Sequence, residues 1–307
     1  MSQIVVVGAC MIDLISYVPR FPEMGETLHG TEFRMGYGGK GANQAIMAAK
    51  LGSKVIMVSK VGDEAFGNGT FENFKKNGVL TDFVYKSKEF FSGVAPIFVT
   101  PKGENSIVIV SGANDKLTPE EISNASKEIE KSSYLICQLE IEVELSLAAL
   151  RLAKKLGVST ILNPAPARNS LPAEIYKLTD IFCPNESEAE LLTGRKIDSI
   201  ADVESMAQEF ITAGAKSVII TLGENGCYVL ANGVGRHLLA NKVDVVDSTG
   251  AGDAFVGALA HYLDLGNDIF ESARMASAVA TISVQGKGTQ SSFPGLDQLP
   301  AELRVKK

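Results

Sequence analysis

Short runs of uninterrupted apolar residues alternate along this chain with stretches whose apolar residues recur at helical spacing. Ile4 to Val7 (IVVV, closed by Gly8), KVIMVSKVGD from Lys54, YLICQLE from Tyr134, Thr160 to Leu162, SVIIT from Ser217 and CYVLA from Cys227 read as buried strands. Ala45 to Gly52, Glu142 to Leu156, Ala254 to Leu265 and Ile269 to Ser283 read as helices. Thr118, Pro119 and Glu121 form a capping-box start for another. From residue 117 onward the alternation is regular, which predicts an α/β fold. One passage breaks it: Ser92 to Val110 carries two β-rich runs around Lys102 to Asn105 with no helix between, a hairpin pattern. With residues about 15–33, that hairpin is expected to form a small second sheet, a lid over a binding site.

Composition narrows the class. The 307 residues are 45% hydrophobic and 21% charged, ordinary for a globular protein, and suffice for one large domain or two smaller ones. A net charge of −7 argues against broad electrostatic binding to nucleic acid or anionic membrane, while leaving room for a local basic pocket. Cys10, Cys137, Cys183 and Cys227 stand singly, so neither a zinc site nor a disulfide framework is expected, and a reducing compartment fits. The N-terminus lacks a basic leader pattern, and no uncharged apolar run nears the roughly 18 residues of a membrane span. A cytoplasmic protein is expected. No internal repeat or linker divides the chain, so residues 1–307 are taken as one domain with a lid.

The richest chemistry lies in DSTGAGDAF, Asp247 to Phe255. VDVV before it and the helical pattern after it suggest a strand handing over to a helix. The N–H groups of Gly250, Ala251 and Gly252 would then project unpaired from the first turn, where the helix potential favours an anion such as a phosphoryl group. Asp253 would sit beside that anion. A carboxylate there gains a purpose if it accepts the proton of an alcohol as a phosphoryl group arrives; the simpler alternative is a helix-capping Asp.

Other polar positions cluster at expected strand ends. Asp13 follows the first strand and Glu140 ends YLICQLE, where open α/β sheets hold ligands. In GYGGKGAN, Gly36, Gly38 and Gly41 formally satisfy a dinucleotide fingerprint with Asp63 about twenty residues on. The polar TEFRM before it is a poor buried strand, so an NAD-linked oxidoreductase is a weak alternative to a glycine-rich turn exposing Lys40 and Asn43. No P-loop motif is present. Asn185 caps an acidic helix or, with its carboxylates, holds a divalent ion through water. Gly223 and Gly226 in LGENG suit a hairpin turn. VQGKGTQSSFPG is a polar glycine-rich loop that brings Lys287 near the same site or to the surface.

GGKGANQA with Gly52 and Gly62, and DSTGAGDAFVGA, resemble the two signatures of the ribokinase/PfkB family of carbohydrate kinases. QLE, NPAPA, PNESEAE, TLGENG and GTQSSFP are similar to its ribokinase branch. The resemblance implies a ribokinase-like three-layer α/β/α sandwich with a mostly parallel central sheet and a small β-sheet lid. It implies ATP-dependent phosphorylation of D-ribose at the 5-hydroxyl, with Asp253 as base and Gly250, Ala251 and Gly252 as anion hole. The sugar site would comprise Asp13, Gly39, Lys40, Gly41, Asn43, Glu140 and Asp253, with Met11 where many relatives carry Asn; that departure admits 2-deoxyribose or another small sugar. Asn185, Thr221, Leu222, Gly223, Gly226, Gly252 and Ser277 would line the ATP site, and Glu188 would act on Mg²⁺ through water. K⁺ would be held by the Asp247 carboxylate, the carbonyls of Thr249, Ser283, Gly286 and Gly288, and the Ser292 hydroxyl. A homodimer formed through the lid sheets is expected.

Overall fold

The computed structural model describes residues 3–305. In chain order the elements are β1 (Ile4–Val7), β2 (Met11–Tyr17), β3 (Glu32–Gly38), α1 (Lys40–Lys50), β4 (Val55–Gly62), α2 (Ala65–Lys76), β5 (Val79–Ser87), β6 (Gly93–Val99) and β7 (Asn105–Ile107). Then follow α3 (Pro119–Asn124), α4 (Ser126–Glu130), β8 (Tyr134–Cys137), α5 (Val143–Lys155), β9 (Ser159–Leu162), α6 (Ala173–Lys177), β10 (Ile181–Phe182), α7 (Glu186–Thr193) and α8 (Ile200–Ala213). The chain closes with β11 (Ser217–Thr221), β12 (Cys227–Ala231), β13 (Val234–Leu238), α9 (Ala251–Asp264) and α10 (Ile269–Ser283).

Nine strands form one sheet in the order β13-β12-β11-β10-β9-β8-β1-β4-β5, parallel throughout except that β12 pairs antiparallel with both β11 and β13 at one edge. The apolar run of β1 shows why three layers form. Ile4 and Val6 pack with α1, α2, α9 and α10, whereas Val5 and Val7 pack with α3 to α8. Side chains alternate across a strand, so a strand covered on both faces must be apolar at every position. All four residues are fully buried, each contributing on the order of 1.5–3 kcal/mol. The expected α/β/α sandwich is present.

A separate four-stranded sheet, ordered β3-β2-β6-β7, contains the expected hairpin as the antiparallel pair β6–β7. Its limits differ from the expectation: its first two strands are Met11–Tyr17 and Glu32–Gly38, and residues 18–31 between them are not strand. The polarity of TEFRM marks an exposed strand of this sheet. Consequently Gly36 and Gly38 lie in β3, antiparallel to β2, and not between a buried parallel strand and its helix. The dinucleotide fingerprint therefore has the letters without the geometry.

Two further expectations are corrected. VDVV forms no strand: Val245 and Val246 are 61% and 55% exposed, and the N–H groups of Val246 and Asp247 donate to the carbonyl of Val284. With no neighbouring strand to cover them, these valines cannot join the sheet. The stretch before α1 is likewise not a turn as far as Asn43, because α1 begins at Lys40 and takes Gly41 and Asn43 into its first turn.

Candidate active site

Parallel strands of the large sheet deliver their following residues to one edge. β8 is followed by Glu140, β9 by Asn163 and β10 by Asn185, while β11 ends in Thr221, which bridges to Asn185. Helix α9 points its N-terminus at the same edge, starting from Gly250 in a left-handed conformation at φ 80°. A side chain at Gly250 would crowd Thr289, its Cβ lying 3.1 Å from the Thr289 methyl. A cavity of 160 Å³ results, lined by Lys40, Asn163, Asn185, Glu188, Thr221, Ser248, Gly250, Ala251, Gly252 and Asp253 among others.

Asp253 lies in the first turn of α9, only 6% exposed. Asn43 Nδ2 donates to its Oδ2 at 2.9 Å, and Gln44 Nε2 donates to its Oδ1 at 3.0 Å. Gln44 was missed from sequence; its place beside Asn43 at a helix start was the available signal. The anion-hole expectation needs one correction, since the N–H of Ala251 donates to the Ser248 carbonyl at 3.2 Å. Gly252 opens onto free space, with nothing within 4 Å of where its Cβ would be.

Around Asp253 the charges are mostly negative. Burial and then the Asp253 charge raise Asp13 to about 6. Burial raises Glu140 to about 7, against the opposing pull of Lys40, whose backbone N–H donates to Glu140 Oε2 at 2.7 Å. Glu188 is also raised, chiefly by burial. Asp253, ahead of Glu140 and Glu188, holds the half-buried Lys40 ammonium above its ordinary value. One cation thus answers several carboxylates, whose acceptor oxygens suit donors such as hydroxyl groups.

The remaining expected sugar positions fall into two kinds. Asn43 reaches the site through its bond to Asp253, and Asp13 lies against Gly38, where a Cβ would fall 2.5 Å from Asp13 Oδ2. Gly39 and Gly41 are glycine for packing: a Cβ would lie 2.7 Å from the Met11 nitrogen and 2.8 Å from the Gly8 carbonyl carbon, respectively. Met11 is buried with its sulfur 3.7 Å from Asn114 Nδ2.

On the nucleotide side, Asn185 caps α7 in a reciprocal box: its Oδ1 accepts from Glu188 N–H at 2.8 Å and Glu188 Oε2 accepts from Asn185 N–H at 2.9 Å. The cap and a place on the cavity wall coexist. Residues 222–226 form the β11–β12 hairpin turn, and Gly226 is explained by the Leu238 carbonyl, 2.0 Å from its would-be Cβ. Gly223 has a positive φ of 53°, and Leu222 is buried. Ser277 is buried on α10 and lines neither this cavity nor its neighbour.

A wider cleft of 880 Å³ runs beneath the small sheet, lined by Asp13, Tyr37, Asp247, Thr249 and Gly288 among others. Asp247 Oδ1 accepts from Thr249 N–H (2.9 Å) and Oγ1 (2.6 Å), and its Oδ2 accepts from Gly288 N–H at 2.9 Å. Burial works against its charge, but the Thr249 and Gly288 donors and Lys287 hold it below the ordinary value. Ser283, Gly286 and Ser292 adjoin one another: the Gly286 Cβ position is 2.9 Å from Ser292 Cβ and 3.8 Å from the Ser283 carbonyl oxygen. These oxygen donors fit a hard monovalent cation. Among the described residues no three His, Cys, Asp or Glu gather into a metal cluster.

The chain is similar to known proteins over nearly its full length. The model for the pfkB family carbohydrate kinases matches residues 1–296. A ribokinase of Mus musculus is 46% identical over 98% of this chain and 95% of its own. A deoxyribokinase of Salmonella typhi is 42% identical over 99% of each. The structure of Arabidopsis thaliana ribokinase complexed with ribose and ATP superposes with a TM-score of 0.90 at 29% identity, covering 100% of both chains.

Proposed function

The chain belongs to the pfkB family of carbohydrate kinases, and we propose that it transfers the γ-phosphoryl group of ATP to the 5-hydroxyl of D-ribose, giving D-ribose 5-phosphate and ADP. The observation that carries this is the buried Asp253 carboxylate in the first turn of α9, on one cavity wall with Gly252 and Lys40. Asp253 takes the hydroxyl proton as the sugar oxygen bonds to phosphorus and the bond to ADP breaks. The amides of Gly250 and Gly252, at the positive end of the helix, receive the developing phosphoryl charge, and Ala251 contributes its place in the turn. Lys40 adds a positive charge on the same wall. Asp13, Asn43 and Glu140 bind sugar hydroxyls, with Gly39 and Gly41 shaping the backbone around them.

ATP lies along Asn185, Thr221 to Gly226 and Gly252, toward Ser277. Mg²⁺, reached from Glu188 through water, neutralises phosphate charge when bound. K⁺ at Asp247, Thr249, Ser283, Gly286, Gly288 and Ser292 would hold the turn that shapes the anion hole. The small sheet acts as a lid, and its exposed Phe33, Met35 and Ile107 suit a homodimer formed through that sheet. No described helix is long and apolar enough to cross a membrane. Four free, buried cysteines support a cytoplasmic setting.

A second substrate, 2-deoxyribose, is favoured by one observation: buried Met11, whose backbone nitrogen lies 2.7 Å from the would-be Cβ of Gly39, offers no strong hydrogen-bonding group beside that proposed sugar position, and a hydroxyl left unpaired in a closed site costs on the order of 1–3 kcal/mol. The test is ATP turnover on ribose, 2-deoxyribose, fructose and adenosine, with K⁺ and with Na⁺ or Li⁺ in its place. Potassium-dependent turnover on ribose is expected; preference for fructose or adenosine overturns the substrate. Met11→Asn is expected to raise the ribose to 2-deoxyribose ratio of kcat/KM by roughly 10-fold, the scale of one hydrogen bond, and an unchanged ratio removes Met11 from specificity.

A further inference from the structure

Two chains of side-chain amides, all buried except the half-buried Asn73, converge on Asp253. On one side Gln138 Nε2 donates to Gln44 Oε1 at 2.6 Å, and Gln44 Nε2 donates to Asp253 Oδ1 at 3.0 Å. On the other, Asn73 Nδ2 donates to Gln290 Oε1 at 2.8 Å, Gln290 Nε2 to Asn43 Oδ1 at 2.9 Å, and Asn43 Nδ2 to Asp253 Oδ2 at 2.9 Å. An ionised carboxylate only accepts hydrogen bonds, so it dictates which way each amide faces, outward to Gln138 and Asn73. Every link in both chains therefore aims its N–H end toward one group, and aligned links of this kind polarise one another.

Gln44 is clamped further. Its Nε2 also donates to Asn163 Oδ1 at 3.1 Å, and Asn163 Nδ2 is tied to the Cys183 carbonyl at 3.0 Å. Gln44 and Gln138 are fully buried, where apolar side chains would avoid the cost of enclosing polar groups. The inner chain even begins at a cost: Gln138 Oε1, buried, has no partner. Such expenditure on polar groups has one common target.

We propose that Gln44 and Gln290 are positioning residues that lock the plane of the Asp253 carboxylate, a role resting on Asp253 being the base. Held at one oxygen by Gln44 and at the other by Asn43, the carboxylate cannot turn about its own axis. Gln290 lies between Gly288 and Ser292, so the loop proposed to hold K⁺ sends one amide to the base through Asn43. Lys50 pins that loop by donating to the Gln290 and Phe293 carbonyls, each at 2.8 Å.

A double-mutant cycle on the full chain tests this, with steady-state kinetics on ATP and whichever of ribose or 2-deoxyribose is turned over. Gln44→Leu is expected to lower kcat by about 10- to 100-fold, the scale of a small misplacement of a reacting group, with KM for ATP within about threefold. In the Asp253→Ala background the same substitution is expected to change kcat by less than about twofold, because its effect passes through the absent carboxylate. A full additional loss in that background overturns the positioning role, as does a rise in KM for ATP with kcat unchanged. Gln290→Leu, on the loop side, carries the same cycle should Gln44→Leu fail to fold. Full activity in Asp253→Ala alone overturns the base itself, a result distinct from failure of the cycle.

Discussion

The two aspartates that bracket the glycine turn, Asp247 and Asp253, are held by different means. Asp253 is buried, and both its oxygens are engaged by side chains from α1, a remote segment of the chain. Asp247 lies at the rim, bound by its own turn at Thr249 and by one backbone N–H from the loop at Gly288. The first arrangement fixes a carboxylate against the cavity; the second ties two loops together. Position in a motif thus says little about how a carboxylate is used, while its donors say much.

The largest effect that would sharpen this contrast is expected from Asp253→Asn. As the proposed base, its loss should lower kcat by about 10²-fold or more, and near-normal kcat would erase the distinction. Asp247→Asn should cost less, about 10-fold in kcat/KM, and should blunt the response to K⁺, measured as the ratio of rates in K⁺ and Na⁺. The estimate follows from losing a charge-assisted contact of roughly 1.5–3 kcal/mol that is partly open to solvent. Equal losses in both cations would make Asp247 a turn-former only.

The smallest effect concerns pH, and the two poles have opposite signs. Asp13 and Glu140, raised to about 6 and about 7, bind protons in the folded chain that the unfolded chain has already released near about pH 4. Their contribution to stability is full below about pH 4 and is lost as pH rises through about 6 and about 7. Asp247, held below its ordinary value, contributes stability present above about pH 4 and lost as pH falls. Urea midpoints at pH 5 and pH 8 should therefore converge in an Asp13→Asn, Glu140→Gln variant, whereas Asp247→Asn should leave that interval unchanged. A wild-type interval retained by the double variant would contradict the assignment.

Much of the large sheet was legible because strands buried on both faces are apolar at every position, as in IVVV, and because α10 follows its helical period over Ile269–Ser283. The small sheet was harder. Four successive residues of β3, Glu32 to Met35, are exposed, so TEFRM was rightly too polar for a buried strand but gave no pattern that marked it as an exposed one. VDVV misled in the opposite direction, since an apolar run forms a strand only where a neighbour covers it, and here none does. In the candidate site, Asp253, Lys40 and Glu140 stood out by residue type at strand and helix ends. Gln290 did not, and Gln44 offered only its place beside Asn43, because residue type alone does not distinguish a buried amide from a solvated one.

The sequence by itself determined the alternation of strands and helices, and with it an α/β fold whose strand ends can hold ligands, since these follow from local periodicity. It also carried the family, through motifs long enough to be distinctive. Only the tertiary structure decided that Ala251 spends its N–H on Ser248, that Gly226 answers the Leu238 carbonyl, and that amides more than two hundred residues apart in the chain meet at Asp253. The physical reason is that a hydrogen bond depends on distance and direction in space, which periodicity along a chain does not encode.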